Sequence, residues 1–280
     1  MRARVTAIRS VACLILASCG EPKVDRVSGP SSAVTVSDSA LRALAEGRVF
    51  FAHQSVGGNI VQGLQEWMAR DARIRLRIVE SDNPQTVQGP AFMHAYVGEN
   101  GIPASKMAEF AAILSRGMGS SGGVALLKFC YLDFQPHTDA DSLFAQYRRE
   151  VSALQSAYPA LRIVHVTVPL TADESRLRLL VKKLLGKSTT RDLNAARNRY
   201  NQLLLREYGP SGAVFDLAAA ESTKPDGARQ FFRVGTDTIY TLATTLTSDG
   251  GHLNDLGRRL VAERLLAFLA TLPTGMRPPS

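Results

Sequence analysis

Two short segments, about two hundred residues apart, hold the side chains with the most chemical promise. The first is Phe50-Phe51-Ala52-His53-Gln54-Ser55-Val56-Gly57-Gly58-Asn59, an apolar run that passes through Ser55 and two glycines into a helical pattern. The second is Thr247-Ser248-Asp249-Gly250-Gly251-His252-Leu253-Asn254, just ahead of the last amphipathic stretch. A serine hydroxyl becomes a nucleophile when an imidazole takes its proton and a carboxylate holds that imidazole in the right tautomer. Ser55, His252 and Asp249 supply those three groups, and the free N–H groups at the start of the helix after Ser55 would face a developing oxyanion. Each segment alone also reads as helix capping, Ser55 as an N-cap and Asp249 as the cap of the last helix beside a solvated His252. Together they compose a nucleophile, a base and an orienting carboxylate.

The elements that must position them alternate between β-like runs and amphipathic helices, the pattern of a parallel α/β sheet covered on both faces. Strands are expected at 48–52, 75–80, 124–131, 161–168 and 213–217, which suits a three-layer αβα sandwich around a five-stranded, flavodoxin-like sheet. In such sheets ligands sit outside the carboxyl ends of the strands, where the turn bearing Ser55 falls. Helical stripes recur at Ile60, Leu64, Trp67 and Met68, at Phe144, Tyr147, Val151 and Leu154, and at Leu260, Leu265, Phe268, Leu269 and Leu272. Parallel sheets need cover on both faces, and these stripes read as core.

A serine directly after the first strand, with Asp-x-x-His before the last helix, resembles the first and last blocks of the SGNH (GDSL-like) hydrolase superfamily. The likeness in block order and outline extends over residues 45–272, with the first block departing from Gly-Asp-Ser-Leu by reading His53-Gln54-Ser55-Val56. The resemblance implies a metal-free, cofactor-free hydrolase of acyl or acetyl esters on small molecules, lipids or polysaccharides. It also implies an oxyanion hole made by Ser55, a glycine after the second strand and an asparagine after the third. For the glycine we take Gly98 rather than Gly89. Matching Gly-x-Asn-Asp to Cys130-Tyr131-Leu132-Asp133 puts Leu132 where the asparagine belongs, so Asn100 is the substitute donor, or else a turn-forming residue. His53 and Asp133 are supporting residues, His53 either positioning the base, contacting substrate or packing as a buried structural histidine. Two rival readings use the same fold: a non-catalytic glycan-binding protein, and an acyltransferase with a sugar as acceptor.

Residues 1–18 carry three arginines and then an apolar run too short to span a bilayer, the layout of a secretory leader. Leu16-Ala17-Ser18-Cys19 resembles a bacterial lipobox, which implies acylation of Cys19, a tether over 19–38 and one hydrolase-like domain over 39–280. The expected location is the bacterial envelope, exported and lipid-anchored, with the outer membrane or periplasmic face favoured. Of three cysteines only Cys130 then stays as a thiol, read as packed rather than nucleophilic. The formal charge of +8 falls to +5 without the leader's arginines. With no nucleic-acid motif, it favours anionic polymers or lipid head groups over DNA or RNA. His137-Thr138-Asp139-Ala140-Asp141 contains metal-ligand residue types at no metal-site spacing and reads as helix capping. The segment 176–187 alternates basic residues with Leu177, Leu180, Val181 and Leu184 and reads first as a core-packed helix with a solvated basic face, or else as a helix facing a membrane or anionic substrate. Gly186 would be its cap.

Overall fold

The computed structural model describes residues 36–73 and 75–272 of the chain. The leader, the lipobox with Cys19 and all but the end of the tether lie outside the described residues. Strands β1 (Arg48–His53), β2 (Ile78–Glu80), β3 (Ala91–Tyr96), β4 (Gly123–Leu127), β5 (Leu161–Val166) and β6 (Val214–Phe215) form one parallel sheet in the order β2-β3-β1-β4-β5-β6. A separate antiparallel hairpin pairs β7 (Phe231–Val234) with β8 (Asp237–Tyr240). The helices are α1 (Asp38–Ala45), α2 (Ser55–Arg70), α3 (Pro103–Ile113), α4 (Gly119–Ser121), α5 (Ala140–Ala157), α6 (Arg176–Leu184), α7 (Thr190–Tyr208), α8 (Leu217–Ser222) and α9 (Asp255–Thr271).

Successive side chains of a strand point to opposite faces, so the unbroken apolar run Val49-Phe50-Phe51-Ala52 can be buried only where both faces are covered. Phe51, Leu126 and Val164 pack with α1, α2, α8 and α9 on one face. Phe50, Ala125 and Ile163 pack with α3, α5 and α7 on the other. Caps fix where the helices start. Asp139 accepts from the N–H groups of Asp141 and Ser142 at α5, and Asn254 accepts from Gly257 N–H at α9.

The sheet has six strands, not five. The missed strand is β3, which lies inside the sheet next to its edge, pairing with β1 on one side (Phe51 opposite His94) and the edge strand β2 on the other. His94 and the short flanks at Gly89-Pro90 and Gly98 make the run look like loop, although Phe92, Met93, His94 and Ala95 are all buried. The expected strand 75–80 contracts to the edge strand β2. Without β2, the order β3-β1-β4-β5-β6 is the flavodoxin-like 2-1-3-4-5. The expected strand 124–131 ends at Leu127, leaving 128–130 as loop at the carboxyl edge, with Tyr131 opening a 3-10 turn (Tyr131–Asp133). Helix α6 also departs from the core-packed reading, since only Leu179 of its residues is buried.

Candidate active site

Strand β1 ends at His53, and α2 begins at Ser55. Gln54 sits between them in extended backbone and makes no side-chain cap. Its amide instead donates to the carbonyls of Val97 (2.9 Å) and Gly98 (2.8 Å), tying the loop after β3 to the residue before Ser55. His53 lies buried beneath the turn: its Nδ1–H donates to the Gln54 carbonyl at 2.9 Å, which leaves Nε2 to accept from His94 Nδ1–H at 3.1 Å. Burial pushes the His53 pKa down to about 3 and lowers that of His94 as well. These contacts make His53 a support of the turn; its hydrogen bonds go to Gln54 and His94, away from His252.

The segment ahead of α9 folds back to meet Ser55. Thr247 and Leu253 bridge across the turn, Gly250 takes a positive φ of 86° that favours glycine, and Leu253 N–H donates to Asn59 Oδ1 (3.2 Å), one helical turn after Ser55. Asp249 Oδ1 accepts from the N–H groups of Gly251 and His252, each at 2.8 Å, while Oδ2 accepts from His252 Nδ1–H at 2.7 Å. A carboxylate can only accept, so His252 carries its proton on Nδ1 and turns Nε2 to Ser55 Oγ, 3.0 Å away. The N–H groups of His252 and then Gly251 hold the Asp249 carboxyl well below the usual carboxylate range. Neither side chain serves as a cap: Asn254 caps α9, and the Ser55 hydroxyl faces the imidazole across 197 residues of sequence.

The other predicted residues are placed around the loops at the same edge. Gly98 follows β3, at the Ser55 end of the sheet, whereas Gly89 precedes β3 at the opposite end. The Gly98 N–H donates to Glu109 Oε2 at 2.6 Å, so that amide is engaged within the protein. Asn100 is exposed and accepts from Lys106 Nζ through Oδ1 (3.1 Å), leaving Nδ2 without a partner among the described residues. Asp133 is buried, paired with Lys106 Nζ at 2.6 Å, and accepts from Gly101 N–H (2.9 Å) and Cys130 N–H (2.7 Å). It thereby locks the loops after β3 and β4 together; removing either charge alone would strand the other at a cost of about 3–5 kcal/mol. Leu132 is exposed, and Cys130 is fully buried.

Three contributors were missed in the sequence. Asn59 accepts from Leu253 N–H, and its position one turn after Ser55, on the same helix face, is the signal that could have found it. Tyr131 meets His252 edge-on (6.0 Å between ring centroids), and its hydroxyl lies so close to Gly251 that a Cβ there would come within 2.9 Å of it. Arg197, buried on α7, donates to the Tyr131 carbonyl (3.0 and 3.2 Å), to Thr171 Oγ1 (2.9 Å) and to Asn194 Oδ1 (2.8 Å). Burial pushes its pKa down to about 10. From Thr171 the next residue, Ala172, donates its N–H to the Gly250 carbonyl (2.8 Å), so Arg197 braces the Asp249–His252 turn through two loops. An isolated arginine in a helix gives no sequence signal for such a role.

The sequence matches no protein-family model, and no curated protein matches it. Among solved structures, it is similar to one described as a platelet activating factor from Streptococcus pneumonia, at 13% identity over 83% of this chain and 90% of that one, with a TM-score of 0.48. The periplasmic domain of a lipopolysaccharide acetyltransferase from Salmonella ser. Paratyphi A is 14% identical over 80% of this chain and 85% of its own, with a TM-score of 0.39. The OSK domain of Drosophila Oskar is 11% identical over 85% and 95%, with a TM-score of 0.40. At these values the side-chain geometry, not the likeness, carries the functional reading.

Proposed function

We propose that this protein is a serine-dependent acyl-ester hydrolase of the SGNH type. The observation that supports this reading is the relay Ser55 Oγ, His252 Nε2, His252 Nδ1, Asp249 Oδ2, with contacts of 3.0 and 2.7 Å. As Ser55 Oγ attacks the ester carbonyl, its proton passes to His252 Nε2, and Asp249 stabilises the imidazolium. The oxyanion is held by the Ser55 backbone N–H at the start of α2, where the first N–H groups of a helix lack intrahelical acceptors. The Asn100 amide adds a second donor, with Gly98 N–H a third when it exchanges Glu109 for substrate. His252 then returns the proton to the leaving alkoxide. Water repeats the sequence in reverse, losing a proton to His252 as it attacks the acyl carbon, and Ser55 leaves protonated.

The engaged Gly98 N–H, together with Leu132 where the resemblance calls for asparagine, favours one second reading: a glycan-binding protein on the same scaffold without turnover. Fluorophosphonate labelling of the full chain separates the two. We expect covalent labelling that disappears in Ser55→Ala. A folded parent protein that stays unlabelled, or a Ser55→Ala protein that keeps full esterase activity, would sink the hydrolase reading.

We also propose export and acylation at Cys19, an anchor in the bacterial envelope. Incorporation of labelled palmitate in a bacterial host should vanish in Cys19→Ser; labelling that persists would remove the anchor. Among the described residues no helix is long and apolar enough to cross a membrane.

A further inference from the structure

Helix α6 wears its apolar stripe on the outside. Leu177, Leu180, Val181 and Leu184 recur at three- and four-residue spacing, Leu185 extends the row, and they are 73, 56, 46, 77 and 63% exposed. Leu179, the buried residue of the helix, points about 170° away from the centre of that stripe at 3.6 residues per turn. Arg176 and Arg178 border the stripe at one end of the helix, and Lys182 and Lys183 flank it at the other. The helix stops in a Schellman turn, with Lys187 N–H on the Lys182 carbonyl (2.9 Å) and Gly186 N–H on the Lys183 carbonyl (3.1 Å). Single exposed aliphatic side chains need no account, but five on one stripe with basic borders do.

We infer that α6 is a docking helix for an anionic lipid surface. Aliphatic side chains of this length enter the boundary between head groups and acyl chains, while flanking Lys and Arg reach lipid phosphates. Charge selects this occupant over a second copy of the chain. A two-fold pairing of α6 stripes would crowd Arg176, Arg178 and Lys183 of each helix against the basic borders of the other, in a protein whose net charge without the leader's three arginines is still +5. The platform is fixed rather than loose: Lys182 pairs with Glu174 at 2.5 Å, and Asp173 pairs with Arg191 of α7 at 2.6 Å.

Placement gives the docking a consequence. Ala172 N–H holds the Gly250 carbonyl, and only residues 173–175 separate Ala172 from the start of α6. That is at most about 14 Å of chain. Docking through α6 therefore sets the Ser55 end of the sheet beside the lipid. Resting on the hydrolase reading, this points to membrane-borne amphiphilic esters as the substrate class; the docking itself does not depend on that reading.

The test uses the full chain with Cys13→Ser and Cys19→Ser, and with Leu184→Cys carrying an environment-sensitive nitrobenzoxadiazole label; Cys130 is buried and stays unlabelled. We expect emission to rise several-fold and shift to the blue with phosphatidylglycerol–phosphatidylethanolamine vesicles but not with phosphatidylcholine vesicles. Arg178→Gln and Lys183→Gln should each weaken binding about fivefold. Leu177→Ser with Leu180→Ser should abolish it. The Ser55→Ala protein should dock like the parent while losing hydrolysis, so the two readings fail separately. An unchanged signal with anionic vesicles from a protein whose circular dichroism is native would overturn the proposal. So would a label already shielded without vesicles, which would place another segment or a second copy on the stripe.

Discussion

At the scale of single residues, the division of labour lies in what each hydrogen bond forbids. Asp249 spends one oxygen on two backbone N–H groups and the other on His252 Nδ1, so the imidazole can present only an acceptor to Ser55. Asn at position 249 would preserve the backbone contacts through its oxygen but turn an NH2 toward Nδ1, forcing the tautomer that points a proton at Ser55. Asp249→Asn is expected to lower kcat by about 10⁴-fold with little change in melting temperature, because the carboxylate is exposed. Kinetics on a p-nitrophenyl ester would check it, and near-native turnover would remove Asp249 from the mechanism. Since the carboxyl is held well below the usual range, no limb of the pH–rate profile between about pH 4 and 8 should come from Asp249.

At the scale of elements, the approach of α2 to α9 decides whether Ser55 and His252 meet. Ser55 opens α2, and His252 lies three residues ahead of α9. The two helices touch at Gly63, where a Cβ would fall 2.3 Å from the Arg258 carbonyl oxygen and 2.8 Å from Ala262 Cβ. Neither neighbour is the flexible tip of a side chain, so α9 would have to move. Gly63→Ala should cost about 1–3 kcal/mol of stability from overpacking. Because a displacement near 1 Å can cost about 10²-fold in rate, turnover should fall further than the stability loss alone explains. Thermal melts and kcat on the purified variant test this; normal values for both would show that the helix spacing does not gate the site. The glycine is plain in the sequence, but only the packed helices reveal what stands opposite it.

At the scale of the whole molecule, buried histidines couple folding to pH. His53, His94 and His165 are all buried, and burial lowers each pKa, to about 3 for His53 and about 4 for His165. In the unfolded chain they titrate near 6.5. Below that pH the unfolded state takes up protons that the folded state refuses, so stability is lost as pH falls from 6.5 toward 4. At pH 5, His53 and His165 should each contribute a loss on the order of 2 kcal/mol. Urea denaturation at pH 7, 6 and 5 would measure it, with His53→Gln expected to flatten the slope. A free energy of unfolding that does not change with pH would show that these rings are not held neutral.

The sequence alone determined what depends on residue type and chain order: an α/β sheet from the alternation of strands and helices, and Ser55, Asp249 and His252 as the groups able to act as nucleophile, carboxylate and base. It did not reveal β3, because a short strand containing His94 has no local pattern that distinguishes it from loop until β1 and β2 pair with it. Chemistry rather than capping followed for Asp249 only from its combination with Ser55 and His252, since the side chain by itself suits both; in the fold Asn254 occupies the cap. The α6 stripe, read first as core-packed, faces outward in the fold, because three- and four-residue spacing records that an apolar face exists, not whether a core or solvent lies against it. Tyr131 and Arg197 entered only with the fold. Their part in the site comes from contacts between loops far apart in the chain, which only tertiary packing creates.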